Sequence, residues 1–386
     1  IRRQAYLIPA RLERIVPRPP TCQLGDGGRD DRLDIEALLL TSRSEFSMSG
    51  IEEANGHKPS GLAHVFDPAF AAAPKPDPAQ LEFDLDARLR SVVALQSRAP
   101  EDAFSSSYLG TEREGNGVII GDDGLVVTIG YLIAEADEIL LGTEDGNIVP
   151  AQGIAYDYHT GFGLVRAAGD LGAAALKLGN AQNVVEGGEA IVAARGGTGQ
   201  AILVEVASKR EFAGYWEYML DEAIFTTPPH PRWSGAALLD SDGALVGVGS
   251  LFVQDAKPDQ SSSPGNMFIP IQLLKLVIDD LVTYGKNPEP PRPWLGIYSM
   301  EALGRVLVTS VAGDGPAEGA GVEPGDVVVA VNGREVSGLA DLYRKVWATG
   351  QAGVTVELGL LRDTDVLTIA VETSDRSTRM KLPSVH

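Results

Sequence analysis

Short apolar runs separated by acidic-glycine turns are the feature that most limits the fold of this chain. The turns at Asp123-Gly124, Asp145-Gly146 and Asp242-Gly243 each lie between two such runs. An Asp-Gly pair between apolar segments predicts a hairpin, because glycine readily adopts the positive φ that the tight turn needs. Repeated hairpins indicate an antiparallel sandwich or barrel, and the counts of Gly and Pro, 44 and 24, agree with a chain rich in turns.

Length, charge and cysteine content limit the number of domains, the classes of partner, and the disulfides and metal sites that the chain can form. The 386 residues exceed one ordinary domain, so two or three domains are expected. A formal net charge of −21 argues against nucleic acid or an anionic membrane as the main partner. One cysteine, Cys22, excludes an intramolecular disulfide, and the histidines are not grouped as metal ligands, so neither metal nor cofactor is expected. No run approaches the ~18 apolar residues of a membrane helix.

The first 80 residues show no sustained periodicity, and the stretch 71–78 (AAAPKPDP) is typical of a linker. After Arg2 and Arg3 the chain continues with Tyr6-Leu7-Ile8-Pro9, which is not the apolar region of a signal peptide. The sequence therefore predicts a cytoplasmic location, with the periplasm as the alternative. Met48 remains open as an alternative start.

A serine lies at the mouth of one predicted hairpin. Ser234-Gly235 follows the loop Pro228-Pro229-His230-Pro231-Arg232-Trp233 and precedes the apolar run 236–239. A serine held at a strand entrance after a proline-rich loop is a candidate nucleophile.

The segment 232–239 (RWSGAALL) resembles the serine segment of HtrA/Deg-type proteases, Gly-Asn-Ser-Gly-Gly-Ala-Leu-Leu. Other motifs of this family follow the same order in the chain, namely GNGVII at 115–120, TIGYLI at 128–133 and DYHTGFGLV at 157–165. The segment 294–297 (WLGI) resembles the carboxylate-binding loop of a PDZ domain. The resemblance implies a mainly β fold, a chymotrypsin-like double β-barrel followed by a PDZ domain.

The domain boundaries follow from this resemblance and from the proline-rich stretch YGKNPEPPRP. We expect a low-order segment and linker at 1–80, a trypsin-like domain at 81–284, a linker at 285–293, a PDZ domain at 294–375 and a C-terminal tail at 376–386.

The positions that carry catalysis in the family differ here. By resemblance the nucleophile is Ser234, the base position holds Tyr131, the acid position holds Gly161, and the oxyanion loop contains Arg232 and Trp233. Serine hydrolysis needs a base for the serine proton and a carboxylate to orient that base. Tyrosine, with a pKa near ~10, is a poor base at neutral pH, and glycine has no side chain. The loss of both is expected to lower turnover by roughly 10⁴ to 10⁶.

The sequence leaves two substitute bases open, since His159 and His230 lie near the acid position and Ser234 in the chain. The leading hypothesis is nevertheless an HtrA/Deg-like pseudoprotease that regulates or scaffolds an active protease and so regulates protein quality control. The alternative is a serine-type endopeptidase with residual or unusual activity at Ser234. Trimers are expected by resemblance only.

The PDZ half predicts a binding function for peptides or protein C-termini. The backbone N–H groups of Leu295, Gly296 and Ile297 would receive a terminal carboxylate, and the peptide would add as a strand beside 297–300. By resemblance, one helix forms the other wall of the groove, with the side chains of Leu339, Leu342, Tyr343 and Val346.

Overall fold

The structure, a computed structural model, describes residues 70–260 and 262–381. The predictions for the first 69 residues and for Met48 therefore lie outside the described residues. The described chain folds into two closed β-barrels followed by a third β-sheet. This confirms the predicted fold class, a mainly β protein with a double barrel followed by a smaller domain.

The first barrel has six antiparallel strands in the order β1-β2-β3-β6-β5-β4. Its strands are β1 (Val92–Arg98), β2 (Glu112–Ile119), β3 (Leu125–Ile129), β4 (Glu138–Gly142), β5 (Ile148–Tyr156) and β6 (Phe162–Ala167). The predicted turn at Asp123-Gly124 joins β2 to β3, and Gly124 has the positive φ of +77° that this turn requires.

The second barrel has the order β10-β11-β12-β9-β8-β7. Its strands are β7 (Glu189–Ala193), β8 (Ala201–Gly214), β9 (Tyr218–Thr227), β10 (Ala237–Leu239), β11 (Leu245–Val253) and β12 (Gly265–Pro270). Strands β8 and β9 are the longest hairpin, and its tip, residues 214–218, extends beyond the barrel to the third sheet. We call these five residues the hairpin tip.

Among the helices that accompany the barrels are α1 (Leu85–Arg90), α2 (Ser106–Leu109) and α3 (Ile271–Tyr284). The periodicity of 81–89 predicts a helix, but α1 begins only at Leu85. The reason is Asp84, whose carboxylate accepts a hydrogen bond from the N–H of Ala87 at 3.0 Å and so caps the helix there.

The third sheet has the order β13-β14-β15-β17-β18, with β16 paired to β15. Its strands are β13 (Ile297–Ala302), β14 (Arg305–Val311), β15 (Val327–Val331), β16 (Arg334–Glu335), β17 (Thr355–Arg362) and β18 (Asp365–Glu372), with helices α4 (Pro316–Ala320) and α5 (Leu339–Trp347). The buried side chains of α5 pack on this sheet, and Ala213 and Met219 beside the hairpin tip join the same apolar core. The sheet and the second barrel are thus in direct apolar contact.

Candidate functional site

Ser234 lies in the loop between β9 and β10, at the junction of the two barrels, with 6% of its surface exposed. Asn116 of β2 holds this loop from the first barrel. Its backbone N–H donates to the carbonyl of Ser234 at 2.9 Å, and its side-chain amide donates to the carbonyls of Ser234 and Arg232 at 2.8 and 2.9 Å. Because Asn116 is itself buried, it fixes the serine in a single backbone position.

Gly235 makes this close approach of the barrels possible. Its φ is +72°, and a Cβ added there would lie 2.0 Å from the carbonyl oxygen of Asn116. Only glycine fits this conformation without moving the backbone of β2.

The hydroxyl of Ser234 contacts a phenol. The Tyr131 hydroxyl lies 2.8 Å from Ser234 Oγ and 2.8 Å from the carbonyl oxygen of Ser250. The carbonyl can only accept, so satisfying both contacts requires the tyrosine proton to be donated to Ser250 and the serine proton to be donated to Tyr131. Burial also raises the pKa of the Tyr131 hydroxyl above its ordinary value, which makes the phenolate scarcer still. A neutral phenol in this position holds the serine proton but does not remove it.

The space beside Gly161, the predicted acid position, is filled by a side chain of β9. Gly161 has φ +87°, and a Cβ added there would lie 2.8 Å from the hydroxyl oxygen of Tyr218 in β9. This hydroxyl donates to the carbonyl of Thr160 at 2.6 Å. The space beside Gly161 is therefore occupied by a phenol that is bound to the backbone.

Both ring nitrogens of His230 are bound to groups other than Ser234. The imidazole is fully buried, its Nδ1 accepts the N–H of Arg232 at 3.0 Å, and its Nε2 lies 3.1 Å from the carbonyl of Gln200. Since a carbonyl only accepts, Nε2 carries the proton, and both nitrogens are engaged. Burial lowers the pKa of His230 to about 3.

His159 faces the segment that precedes the third sheet. Its Nδ1 lies 3.3 Å from the carboxylate of Glu289, and burial lowers its pKa below the ordinary value. The nearby carboxylate of Asp157 is used in its own turn, where it accepts hydrogen bonds from Thr160 and from the side chain of Asn287.

The predicted oxyanion loop, which contains Arg232 and Trp233, makes contacts within the protein. The N–H of Arg232 points to His230, and Arg232 is not among the residues with positive φ in the described part of the chain. Arg232 therefore carries none of the backbone strain that a side chain has in the left-handed region. Trp233 is 3% exposed and packs against Phe252 with ring centroids 5.9 Å apart.

The predicted carboxylate loop of the third sheet binds a carboxylate from the chain itself. Glu217 in the hairpin tip accepts hydrogen bonds from the N–H groups of Leu295, Gly296 and Ile297 at 2.9, 2.7 and 3.0 Å. The N–H of Ser299 in β13 donates to the carbonyl of Tyr215 at 2.9 Å. The hairpin tip therefore lies where the sequence predicts a peptide.

Helix α5, which the sequence predicts as the other wall of the groove, also contacts the hairpin tip. The side chains of α5 that we expected to line the groove are all buried in the core of the third sheet, namely Leu339, Leu342, Tyr343 and Val346. The Tyr343 hydroxyl donates to the carbonyl of Gly214 at 2.7 Å and accepts the N–H of Glu217 at 3.2 Å.

Sequence reasoning missed three residues of these sites. Asn116 was recognised only as part of a motif, although an asparagine between two glycines is a signal of close backbone contact. Glu217 and Tyr218 belong to the aromatic turn GYWEY, which carries no motif of its own. Only the folded chain brings them to their sites.

Comparison with known proteins agrees with this architecture. The family described as "Trypsin-like peptidase domain" matches residues 115–248, and the family described as "PDZ domain" matches residues 293–373. A protein of Pseudomonas fluorescens named "Probable periplasmic serine endoprotease DegP-like" is 30% identical over 268 residues, which cover 64% of this chain and 53% of that protein. The chain belongs to the HtrA/Deg-type family. Its relatives include a protein of the same name from Chlamydia pneumoniae, 26% identical over 67% of this chain and 54% of that protein.

Solved structures of similar proteins include HtrA-type protease AlgW with a tripeptide, 21% identical over 80% of this chain and 99% of that chain, with a TM-score of 0.45. They also include the serine endoprotease from Yersinia pestis, 20% identical over 77% of this chain and 99% of that chain, with a TM-score of 0.46.

The HtrA/Deg-type chain described here spans about half the length of the curated relatives it matches. Those relatives are named as periplasmic, so the prediction of a cytoplasmic location is wrong. It was drawn from a few residues at the start of the sequence, and the physical properties of those residues do not determine where the folded domains work. Among residues 70–260 and 262–381, no helix is long and apolar enough to span a bilayer. The same residues contain no group of three or more His, Cys, Asp or Glu side chains arranged to hold a metal.

Proposed function

We propose that this HtrA/Deg-type chain is a pseudoprotease whose barrels do not hydrolyse peptides and whose PDZ domain binds peptides or protein C-termini. In this role it regulates or scaffolds protein quality control. The observation that carries the proposal is the hydrogen bond between Ser234 Oγ and the Tyr131 hydroxyl. A serine attacks a carbonyl only when a base takes its proton, and a phenol that already donates to Ser250 is not such a base.

Two further arrangements support the loss of hydrolysis. The Tyr218 hydroxyl occupies the space beside Gly161, so no carboxylate orients a base there. The N–H of Arg232, which would have to face an oxyanion, is bound to His230. Removal of one oxyanion donor alone typically costs about 10² to 10³ in turnover.

The test of inactivity is covalent labelling of Ser234 with a fluorophosphonate probe, with the Ser234→Ala variant as the matched control. We expect equal, background labelling of both proteins and no cleavage of casein by either. Stoichiometric labelling that disappears in Ser234→Ala, together with casein cleavage, would instead establish the residual endopeptidase.

The test of binding uses a pool of fluorescent decapeptides with four randomised C-terminal residues. One half of the pool carries a free carboxylate and the other half a C-terminal amide. The PDZ N–H groups at 295–297 recognise a carboxylate, so only the free-carboxylate half should be retained. Equal retention of both halves by the wild type and by variants with an opened groove would contradict the proposal.

A further inference from the structure

The structure assigns to the PDZ groove an internal ligand: the hairpin tip occupies it, with the Glu217 carboxylate in the place of a peptide's terminal carboxylate. An external chain terminus binds only after the tip has left. This inference rests on the proposed function of the groove as a peptide site, and it adds the element that controls access to it.

The contacts of Glu217 are those of a terminal carboxylate. One oxygen accepts the N–H of Leu295, and the other accepts the N–H groups of Gly296 and Ile297. Three backbone donors converge on one carboxylate, which is the arrangement by which such a loop captures a chain end. No donor in this set is left for a second carboxylate while Glu217 is bound.

The backbone of the hairpin tip also resembles that of a bound peptide strand. Ile297 and Ser299 are two residues apart on β13, so their N–H groups point to the same side of the strand. Ile297 donates to the Glu217 side chain and Ser299 donates to the carbonyl of Tyr215, two residues before Glu217. The tip therefore runs along β13 in the register that an added peptide strand would use.

The opposite wall of the groove also binds the tip. Tyr343 of α5 holds Gly214 and the N–H of Glu217 through its hydroxyl. The next residue of α5, Arg344, forms ion pairs with Glu211 and Asp221 on the two strands of the hairpin. The tip is thus enclosed between α5 and β13.

The local conformation indicates that glutamate is present for its carboxylate. Glu217 has φ +56°, in the left-handed region that glycine or asparagine adopts at less cost. A tight turn alone would favour one of those residues. The cost of placing glutamate there, on the order of 1 kcal/mol, is offset by its three hydrogen bonds to the PDZ loop.

The contact between Glu217 and the PDZ loop is suited to release of the hairpin tip. Glu217 is 8% exposed, and its carboxylate is bound by three backbone N–H groups and by no cationic side chain among residues 70–260 and 262–381. Its ionised form is therefore only partly compensated for lost hydration. Burial raises the pKa of Glu217 to about 7. A peptide terminus would supply the same three bonds, while the displaced glutamate would regain water. The apparent affinity for peptide is then the intrinsic affinity reduced by the fraction of molecules with an open groove.

The experiment compares the full-length wild type with Glu217→Ala, Tyr343→Phe and the control Glu222→Ala. Glu222 lies on the same hairpin, but its half-exposed side chain pairs with Lys209 and not with the groove. The first measurement is hydrogen exchange of the amides at 295–297. We expect exchange at least about tenfold faster in Glu217→Ala than in the wild type and in Glu222→Ala. Unchanged protection in Glu217→Ala would disprove the internal ligand.

The second measurement is retention of the free-carboxylate decapeptide pool. Glu217→Ala and Tyr343→Phe should each bind at least about tenfold more tightly than the wild type, and Glu222→Ala should match the wild type. Equal affinity of the wild type and Glu217→Ala for the pool would refute closure of the groove. If the 295–297 amides exchange faster in Glu217→Ala but no variant binds peptide, the internal ligand is supported and the proposed peptide-binding function is contradicted.

Discussion

Glu217 and Tyr218 are neighbours in the hairpin tip, yet they complete two different sites. The Glu217 carboxylate binds the N–H groups of the PDZ loop, and the Tyr218 hydroxyl fills the space beside Gly161 in the first barrel. One peptide unit therefore joins the two sites. The aromatic ring of Trp216 stacks on that of Tyr218 with centroids 5.6 Å apart, which adds rigidity to this part of the turn.

A carboxylate introduced at Gly161, the predicted acid position, should lower the stability of the protein. In Gly161→Asp the new Cβ would lie 2.8 Å from the Tyr218 hydroxyl at a positive φ, so we expect a loss of stability of about 2 to 4 kcal/mol. Gly172→Asp is the matched control, because Gly172 also has a positive φ of +67° but nothing within 4 Å of its added Cβ. Urea unfolding of both variants measures the difference, and equal stabilities would show that Tyr218 does not block the position.

Gly235→Ala should separate the loop of Ser234 from the first barrel. The added methyl group would lie 2.0 Å from the carbonyl of Asn116, and we expect a loss of about 3 kcal/mol or more. Gly187→Ala has a similar φ of +77° with open space around it and should cost only about 1 kcal/mol. Thermal unfolding distinguishes the two. A Gly235→Ala protein as stable as Gly187→Ala would contradict the tight contact.

His230 should remain neutral at pH values where an ordinary histidine is charged. Its folded-state pKa of about 3 lies below the unfolded value of 6.5, so the unfolded chain binds the extra proton between these values. The stability that His230 contributes is therefore present above pH 6.5 and is lost as the pH falls toward 3. The imidazole resonances in an NMR titration give the measurement. A midpoint near pH 6.5 for His230 would show that it is available as a base after all.

Glu217 should give the opposite dependence on pH. Its folded-state pKa of about 7 lies above the unfolded value of 4.5, so the folded protein binds the extra proton and loses stability as the pH rises through this window. Arg376 acts against this shift by favouring the ionised form, and Tyr298 also faces the site. Relative to Glu217→Gln, the wild type should become less stable between pH 4.5 and 7, by at most about 3 kcal/mol.

Unfolding of the two proteins at pH 5 and pH 8 tests this expectation, because the other titrating groups are common to both. A difference in unfolding free energy that does not change with pH would mean that the Glu217 carboxyl is not desolvated in the folded protein.

The hydroxyl of Tyr343 should be worth about 1 to 2 kcal/mol, since it bonds Gly214 and Glu217 in a buried place. Tyr343→Phe retains the ring, so a stability loss in this range reports the hydroxyl alone. In a double-mutant cycle with Glu217→Ala the two losses should not add, because both changes release the same tip. Full additivity, measured by urea unfolding, would mean that Tyr343 and Glu217 act independently.

Much of the architecture was accessible from the sequence. Asp123-Gly124 and Asp242-Gly243 mark hairpins because turn chemistry is local, and a six-stranded barrel follows when successive hairpins close on one apolar core. The start of α1 was misplaced because the capping hydrogen bond of Asp84 competes with the apolar periodicity of the residues before it.

The site was accessible only in part. By resemblance the sequence places Tyr131 and Gly161 at the base and acid positions, where their chemistry predicts a loss of catalysis, and it leaves His159 and His230 open as substitutes. The distances that bear on these possibilities join residues about 100 positions apart, such as the 2.8 Å contact between Tyr131 and Ser234. Local patterns carry no such information.

The sequence by itself determined the hairpins, because turn chemistry depends on neighbouring residues. The order of the domains and the positions of Ser234, Tyr131 and Gly161 followed from the resemblance of its motifs to those of the family. Only the tertiary structure decided that Tyr131 binds the serine hydroxyl and that Glu217 occupies the PDZ loop. These contacts form only when the barrels and the third sheet pack together. A buried carboxylate must be hydrogen-bonded, and the packing decides which backbone donors lie beside it.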